Sequence, residues 1–336
     1  MGANAAVPNG LLDVRDLRVE YRGATGLVTA VDSVSFTLGE RESLAILGES
    51  GSGKTSLGLA IMGLTSGRDT QLSGRVELAG QDLLRLAPSR LEDVRGNDIA
   101  MIFQDPLSSL NPVKRVGDQI AEVFRRHRGL GAREAARAAV EVLVRVQIPQ
   151  AQARARDYPH QFSGGMRQRA MIAMAIALSP SVLIADEPTT ALDVTVQAQI
   201  IELLERLRAE EGMALILISH DLGLAAALSS RVAIMYAGRF VEEGLVRDVY
   251  ERPRHPYTDG LLVSAPRAVN IAQRLQSIPG NPARIDQMPQ GCPFHPRCRF
   301  AQEICVTTQP PLRWVAQDRS VACHRAEEIV LTGGRP

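Results

Sequence analysis

Residues 48–55, "GESGSGKT", combine glycines, a lysine and a hydroxyl at the spacing G-x-x-x-x-G-K-[ST], which is typical of a phosphate-binding loop. Glycine lets successive backbone N–H groups turn toward phosphate oxygens, while Lys54 can reach the β- and γ-phosphates and the Thr55 hydroxyl can ligate Mg²⁺. The flanking apolar runs predict a strand, a turn and a helix that begins near Lys54. The residues predicted to bind a nucleoside triphosphate here are Gly48, Glu49, Ser50, Gly51, Ser52, Gly53, Lys54, Thr55 and Ser56.

Two acids follow the apolar run "VLIA" in residues 181–193, "SVLIADEPTTALD". Adjacent carboxylates at the end of a buried strand are costly unless a cation or a substrate uses them. On a parallel strand, Asp186 would reach Mg²⁺ and Glu187 would act as general base on the attacking water. The run "ALILISH" ends at His220, which could contact the γ-phosphate and hold Glu187 and the water in position. The alternatives are a solvated strand end and a structural histidine.

A glutamine ends a further predicted strand, "IAMIFQ", at residues 99–104. The amide of Gln104 can both accept and donate a hydrogen bond, so Gln104 could join the Mg²⁺ ligands and report occupancy to the segment that follows. Read without its neighbours, a glutamine before Asp-Pro would be a turn residue.

A second glycine-rich helix start lies in "YPHQFSGGMRQRAMIAMAIAL", residues 158–178. Ser163 is the predicted N-cap, and Gly164 and Gly165 leave bare N–H groups at the start of the helix, where an anion can bind. The nucleotide of the first loop does not require a second anion site in the same chain. We therefore expect Ser163, Gly164 and Gly165 to contact the γ-phosphate held by another chain, in a head-to-tail pair. The alternative is a glycine-rich helix start without a ligand.

The order of these motifs, with "ALD" after the two acids, resembles the ATPase subunits of ABC transporters over roughly residues 11–245. The usual family signature is LSGGQ, whereas this chain has Phe162 and Met166 at its ends and keeps the Ser-Gly-Gly centre. The resemblance implies that the chain is an ATPase that uses ATP and Mg²⁺. It also implies that Tyr21 stacks on adenine and that Asp193 belongs to the loop that couples two ATP sites.

The predicted fold is α/β: a P-loop NTPase with a RecA-like parallel sheet and an antiparallel edge sheet. The ATPase domain would span residues 1–245, with an inserted helical subdomain at about 104–175 that includes the helical run "EAARAAVEVLVRV". Residues 246–336 are rich in proline and lose regular periodicity, which predicts a small, irregular C-terminal extension.

Composition limits the location and the partners. The chain has 336 residues and a net charge of +1, so no global field argues for nucleic acid, and we expect no nucleic-acid partner. It shows no secretory signal, and its longest apolar runs are short of the ~18 residues that a membrane span needs. The expected location is the cytoplasmic face of the cell membrane, as a peripheral subunit, with the transport pathway in separate chains.

All four cysteines lie in the extension: Cys292, Cys298, Cys305 and Cys323. In a reducing cytosol such a group favours a metal site or free thiols over disulfides. The spacing C-x5-C-x6-C-x17-C matches neither the paired C-x2-C of zinc ribbons nor the tight run of bacterial ferredoxins. From spacing alone, both a metal site and free thiols stay open.

The segments "HPYTDGLL", "GCPFHPRC" and "VACH" resemble the C-terminal extension of dipeptide and oligopeptide importer ATPases, in the peptide–nickel transporter group. The resemblance implies that the four cysteines ligate a structural 4Fe-4S cluster. Zinc is the alternative, with His295 or His324 in place of a thiol.

The function implied is the ATP-hydrolysing subunit of a peptide importer. Its partners would be a second ABC ATPase chain (a paralogue or itself), two membrane permease subunits and an extracytoplasmic substrate-binding protein. The alternatives are an importer of nickel or another solute and, in another class, an iron–sulfur redox or sensor protein.

Overall fold

The computed structural model describes residues 10–23, 26–65, 67, 69–190, 192–265, 277–331 and 333. The strands are β1 (Leu12–Gly23), β2 (Gly26–Leu38), β3 (Ser43–Leu47), β4 (Thr70–Leu78), β5 (Gln81–Asp82), β6 (Ile99–Ile102), β7 (Val182–Asp186), β8 (Ala214–Ser219), β9 (Arg231–Tyr236), β10 (Arg239–Leu245), β11 (Arg313–Ala316) and β12 (Arg319–Val321).

The α-helices are α1 (Lys54–Ile61), α2 (Pro88–Val94), α3 (Pro106–Ser109), α4 (Val116–Arg128), α5 (Ala132–Arg145), α6 (Ala151–Arg154), α7 (Gly164–Ile176), α8 (Val194–Glu211), α9 (Leu222–Leu228), α10 (Val246–Glu251), α11 (Pro256–Ser264) and α12 (Glu303–Thr307). The chain forms two compact units. Of the described residues, the first takes in those up to Leu12, Leu38–Glu42 and Leu78–Leu217, and the second takes in those in Asp13–Thr37, in Ser43–Glu77 and from Ile218 onward.

Parallel strands and a helical layer make up the first unit. β6 runs parallel to β7, with Ile99 opposite Val182 and Ile102 opposite Ala185. Every residue of both strands is buried, as expected of parallel strands that are covered on both faces. The predicted helix in the 134–146 run is confirmed as α5, which packs against α4 and α7. Its buried positions, Ala135, Ala139, Val142 and Leu143, recur at helical spacing.

The second unit contains a parallel pair with antiparallel strands beside it. β3 runs parallel to β9, and β9 pairs antiparallel with β10. A separate sheet in this unit has the strand order β2-β1-β4. These parallel and antiparallel pairs confirm the predicted α/β class.

The extension is more regular than its sequence suggests. β11 and β12 form an antiparallel hairpin, and β12 continues antiparallel onto β10, with Glu242 opposite Val321. The predicted irregular structure is therefore wrong for residues 313–321, because strands of four and three residues form there that are too short to show an alternation in the sequence. The predicted domain boundary at 245, where β10 ends, stays a prediction.

A buried ion pair holds the hairpin to β10. The side chain of Glu242 is fully buried and pairs with Arg319 on β12. The same carboxylate accepts the backbone N–H of Arg254 at 2.8 Å and of His255 at 3.0 Å. Burial raises the pKa of Glu242, and the guanidinium of Arg319 opposes that shift. A buried charge needs these partners, so the pair fixes the register of the hairpin on β10.

Candidate nucleotide-binding site

The predicted strand, turn and helix around residues 48–55 are confirmed. All five residues of β3 are buried, and α1 begins at Lys54. Glycine is required by steric limits at two positions. A Cβ at Gly48 would lie 2.2 Å from the carbonyl oxygen of Met235, and one at Gly53, where φ is +105°, would lie 2.2 Å from that of Ala30. The loop backbone is thus packed directly against neighbouring strands.

Lys54 is the buried charge of this loop. Its Nζ donates to the carbonyl oxygens of Gly48 at 2.8 Å and Glu49 at 2.9 Å, so the ammonium lies across the loop. Thr55, the next residue, is exposed in the first turn of α1. An ammonium and the N-terminal end of a helix both favour a bound phosphate.

The polar groups of the loop fit a phosphate ligand. Ser50 and Gly51 are exposed, and the hydroxyl of Ser52 is buried with no hydrogen-bond partner among the residues that the structure describes. A buried hydroxyl that no protein group satisfies is costly, and a bound anion would accept its hydrogen. The donor set therefore fits the triphosphate of ATP.

The two acids lie in the first unit, where β7 ends at Asp186. The Asp186 side chain is almost fully buried. Glu187 is half-buried and has φ of +47°, in the left-handed region that a residue with a Cβ rarely adopts. The Thr190 hydroxyl donates to Glu187 Oε2 at 2.6 Å. A strained backbone with an oriented carboxylate is frequent at functional sites.

The strand that precedes Gln104 is shorter than predicted. β6 ends at Ile102, so Gln104 lies two residues beyond the strand and is exposed, and α3 begins at Pro106. The prediction that the strand ends at Gln104 is wrong. Gln104 and Asp105 are polar and exposed, whereas every residue of β6 is buried, so the chain leaves the sheet before them.

The predicted N-cap at the second glycine-rich helix start is confirmed. α7 begins at Gly164, and Ser163 Oγ accepts the N–H of Met166 at 3.3 Å. Ser163 and Gly164 are exposed. A Cβ at Gly165 would lie 2.8 Å from a methyl carbon of Val196, so the helix start packs closely on α8.

Three further predicted site residues lie on β1, directly after β8 and at the start of α8. Asp193 is the N-cap of α8, and its Oδ1 accepts the N–H of Val196 at 3.0 Å. Tyr21 is half-buried on β1, and His220 directly follows β8 and is exposed.

Sequence reasoning missed two residues that contact the P-loop. Tyr257 on α11 accepts the N–H of Glu49 through its hydroxyl at 2.8 Å. The guanidinium of Arg297 donates to both carboxylate oxygens of Glu49, at 2.7 and 3.0 Å. Both residues belong to the extension, at separations of 208 and 248 residues from Glu49, and no local pattern indicates such a pairing.

The four cysteines line one cavity in the second unit, together with His255, His295 and His324. Burial raises the pKa of the Cys292 and Cys323 thiols to about 11, and it also raises the pKa of Cys298. The other three cysteines raise the pKa of Cys323 further, since all four lie near one another.

The lining of this cavity supplies the donor types that a metal centre uses, which are thiols and imidazoles. His295 Nδ1 lies 3.0 Å from the carbonyl oxygen of Cys292, and His324 Nε2 lies 2.9 Å from that of Thr308. Among the residues that the structure describes, no group of three or more His, Cys, Asp and Glu side chains is arranged to hold a metal ion.

Family models match two parts of the chain. The ABC transporter family matches residues 31–190, and the family described as the oligopeptide/dipeptide transporter C-terminal region matches residues 241–305. The second match covers three of the four cysteines and both residues of the extension that contact Glu49.

Relatives extend the match to almost the whole chain. The oligopeptide transport ATP-binding protein OppD of Salmonella typhimurium is 49% identical over 325 residues, which cover 96% of each chain. A Brucella abortus protein named as a peptide import ATP-binding protein is 52% identical over 300 residues, 89% of this chain and 90% of that protein. A solved dimeric ATP-binding cassette, bound to ADP and Pi after hydrolysis, is 26% identical with a TM-score of 0.63, over 70% of this chain and 99% of that one.

The fold and the P-loop define an ATP-binding cassette. With these relatives, the chain belongs to the ABC transporter ATP-binding proteins, in the group that carries the oligopeptide/dipeptide transporter C-terminal region. It is an ATPase whose hydrolysis is coupled to transport. Within the described part of the chain, no helix combines the length and the apolar character needed to cross a membrane.

Proposed function

We propose that the chain hydrolyses ATP to power the import of dipeptides or oligopeptides through separate membrane subunits. The observation that carries this proposal is the match of the extension at residues 241–305, because the ATPase motifs alone are shared by transporters of many solutes. The relatives named for peptide import and oligopeptide transport cover the same extension. The partners proposed are a second ATPase chain, two permease subunits and an extracytoplasmic binding protein, with this chain peripheral on the cytoplasmic face of the membrane.

The residue roles divide between binding and chemistry. Lys54 and the N–H groups of residues 48–56 bind the phosphates, and Tyr21 stacks on adenine. Thr55, Gln104 and Asp186 are the proposed ligands of Mg²⁺, which would neutralise charge that develops on the phosphates.

Glu187 takes the proton from the water that attacks the γ-phosphate. The left-handed backbone and the bond from Thr190 support this role, because they hold the carboxylate in one orientation. His220 holds Glu187 and the water in position, and Gln104 senses the occupied site.

The signature residues Ser163, Gly164 and Gly165 act on the nucleotide of another chain. The exposure of Ser163 and Gly164 supports this role, because a second chain can reach them at the start of α7. A single chain should therefore hydrolyse ATP poorly. Asp193 couples the two ATP sites of the pair.

Uptake in cells tests the peptide assignment. Cells whose only copy carries Glu187→Gln would be compared with wild type for labelled dipeptide and labelled nickel. We expect dipeptide uptake to collapse and nickel uptake to persist. Unchanged dipeptide uptake would remove the peptide proposal and leave nickel or another solute.

We propose that Cys292, Cys298, Cys305 and Cys323 bind a structural 4Fe-4S cluster, with zinc as the alternative. The support is the convergence of four thiols on one cavity. Each thiol would have to lose a proton whose pKa is raised at Cys292, Cys298 and Cys323, so the metal must supply the charge that stabilises the thiolates.

Metal analysis of the anaerobically purified full chain tests this second proposal. We expect about four iron atoms per chain and a broad visible absorbance. Zinc without iron would support the alternative, and neither metal would leave free thiols. Cys298→Ser should lower stability and assembly more than it lowers ATP turnover at an assembled site.

A further inference from the structure

Glu49, the second residue of the P-loop, is held by three different residues at three different groups. Its N–H donates to the Tyr257 hydroxyl at 2.8 Å, and its carbonyl oxygen accepts from Lys54 Nζ at 2.9 Å. Its carboxylate accepts hydrogen bonds from both terminal nitrogens of Arg297. Two of these three partners come from the extension, and the third is Lys54, the residue that we propose binds the phosphates.

The side chain of Arg297 is buried in the protein and does not lie on its surface. Only 4% of its side chain is exposed. Its Nε donates to the carbonyl oxygen of Pro279 at 2.9 Å, and its guanidinium lies 5.9 Å from the ring centre of Tyr236 and 5.8 Å from that of Phe294. A guanidinium buried in this way needs an anion, and its planar fork fixes the direction of the carboxylate that it binds.

Tyr257 is equally constrained. The residue is fully buried, and its ring lies 4.6 Å from that of Tyr236 and 5.4 Å from that of Phe294 between centres. The three rings form a packed aromatic cluster, so the hydroxyl cannot move far from the N–H of Glu49. Burial raises the pKa of Tyr257, and the hydroxyl stays protonated.

We propose that Tyr257 and Arg297 are positioning residues for ATP binding, which fix Glu49 and, through its carbonyl oxygen, the ammonium of Lys54. The C-terminal extension would thus complete the P-loop instead of only adding a neighbouring domain. The inference rests on the proposal that this P-loop binds ATP. It predicts that nucleotide affinity depends on two side chains that do not touch the nucleotide.

A purely structural role makes a different prediction. If the two contacts only attach the extension, their loss lowers the melting temperature and leaves the affinity of the folded protein for nucleotide unchanged. Affinity and stability must therefore be measured on the same variants. Tyr257→Phe is the mildest change, because it keeps the ring packing and removes only the acceptor of the Glu49 N–H.

The experiment titrates the fluorescent analogue MANT-ATP, with Mg²⁺, into the purified full-length chain. We expect Tyr257→Phe to weaken binding about five-fold and Arg297→Met about ten-fold or more, since the second leaves the carboxylate without its charged partner. Arg297→Lys keeps the charge without the fork and should recover part of the affinity.

Arg299→Met is the matched control. Arg299 lies two residues along the same loop with 70% of its side chain exposed, over the ring of Phe300 and 3.5 Å from Asp259. The affinity of Arg299→Met for MANT-ATP should stay within about two-fold of wild type, because Arg299 is exposed and does not contact the P-loop in any hydrogen bond that the structure shows. If Arg297→Met does not fold, Tyr257→Phe and Arg297→Lys decide.

The inference is overturned if Tyr257→Phe binds MANT-ATP as tightly as the control Arg299→Met does, and if Arg297→Met, or Arg297→Lys in its place, does so too. Lys54→Ala separates this outcome from failure of the P-loop proposal. Lys54→Ala binding as well as wild type would mean that the loop does not bind the nucleotide. Loss of binding in Lys54→Ala alone would retain the P-loop and reject the positioning role.

Discussion

The two helix starts that could bind phosphate differ in how the chain holds them. At the start of α1, in the second unit, Lys54 is buried, and the neighbouring Glu49 is bonded to Tyr257 and Arg297. At the start of α7, in the first unit, Ser163 and Gly164 are exposed. The helix caps also differ: Gly53 offers no side-chain cap, whereas Ser163 caps α7 with its own hydroxyl.

This difference is expected if the start of α1 binds nucleotide in its own chain and the start of α7 acts only after a second chain assembles on it. The P-loop has to be preorganised in its own chain, because its N–H groups and Lys54 must converge on one phosphate chain. The signature must stay accessible, because its proposed ligand arrives with another chain. Affinity of the single chain for ATP should therefore depend on the P-loop and not on the signature, whereas turnover should depend on both helix starts and on a partner.

Glu187→Gln should give the largest effect and tests the chemical step of turnover. The amide cannot accept the proton of the attacking water, so we expect ATP turnover of the assembled complex to fall by about 10²- to 10⁴-fold. MANT-ATP binding to the single chain should not change. Glu202→Gln, on the exposed face of α8, is the control and should keep normal turnover. Turnover within ten-fold of wild type would exclude Glu187 as general base.

Gly164→Asp should separate the two helix starts. An aspartate in the first turn of a helix is favourable for folding, and a Cβ at Gly164 has only ordinary contact with Leu192 at 3.7 Å. The new charge would repel the phosphate of a partner, so we expect turnover to fall by about 100-fold with no loss of stability. MANT-ATP affinity of the single chain should stay at the wild-type value, whereas Lys54→Ala should lose it. Weaker nucleotide binding by Gly164→Asp would contradict the assignment of the signature to another chain.

Local motifs made much of both regions predictable. The loop at residues 48–55 and its flanking strand and helix follow from glycine spacing and apolar runs, and the Ser163 cap follows from residue type at a helix start. Asp186 is predictable for the same reason, because it ends an apolar strand.

The remaining features depend on distant parts of the chain. The contacts of Tyr257 and Arg297 with Glu49 join residues more than 200 positions apart, and no local sequence pattern predicts them. The left-handed φ of Glu187 and the short β11–β12 hairpin are also set by packing rather than by local preference. The end of β6 at Ile102 could have been predicted from the sequence, since the polar Gln-Asp pair before Pro106 indicates that the chain leaves the sheet before residue 104.

A pH dependence should appear in the second unit. Burial lowers the pKa of His255 to about 3, and its Nδ1 accepts the N–H of Tyr257 at 3.0 Å, so the folded protein keeps this imidazole neutral. The unfolded chain, with a histidine pKa near 6.5, binds the proton first. Stability should therefore be full above pH 6.5 and fall as the pH drops toward 3, with a loss of about 2 kcal/mol by pH 5 from this group.

Urea unfolding of the full chain at pH 7.5 and pH 5 measures this effect. His255→Asn should flatten the pH dependence, although it lowers stability at pH 7.5. His127→Asn in the first unit is the matched comparison, because burial lowers the pKa of His127 too but the side chain is only half-buried. It should flatten the slope much less. Equal slopes for wild type and His255→Asn would contradict the assignment to His255.

Ser163→Ala should give the smallest effect and tests the cap of α7 separately from phosphate binding. The hydroxyl accepts the Met166 N–H at a long 3.3 Å, so we expect the free energy of unfolding to fall by only about 0.5 kcal/mol, at the low end for a lost N-cap. Ser163→Thr keeps the oxygen and should restore stability. Turnover of the assembled complex should fall further for the alanine variant than this small loss of stability explains, because we propose that the same exposed hydroxyl contacts the phosphate held by a partner. If turnover and stability of Ser163→Ala both equal those of Ser163→Thr, the hydroxyl neither caps the helix nor contacts the nucleotide, and the accessible start of α7 would act through its glycines alone.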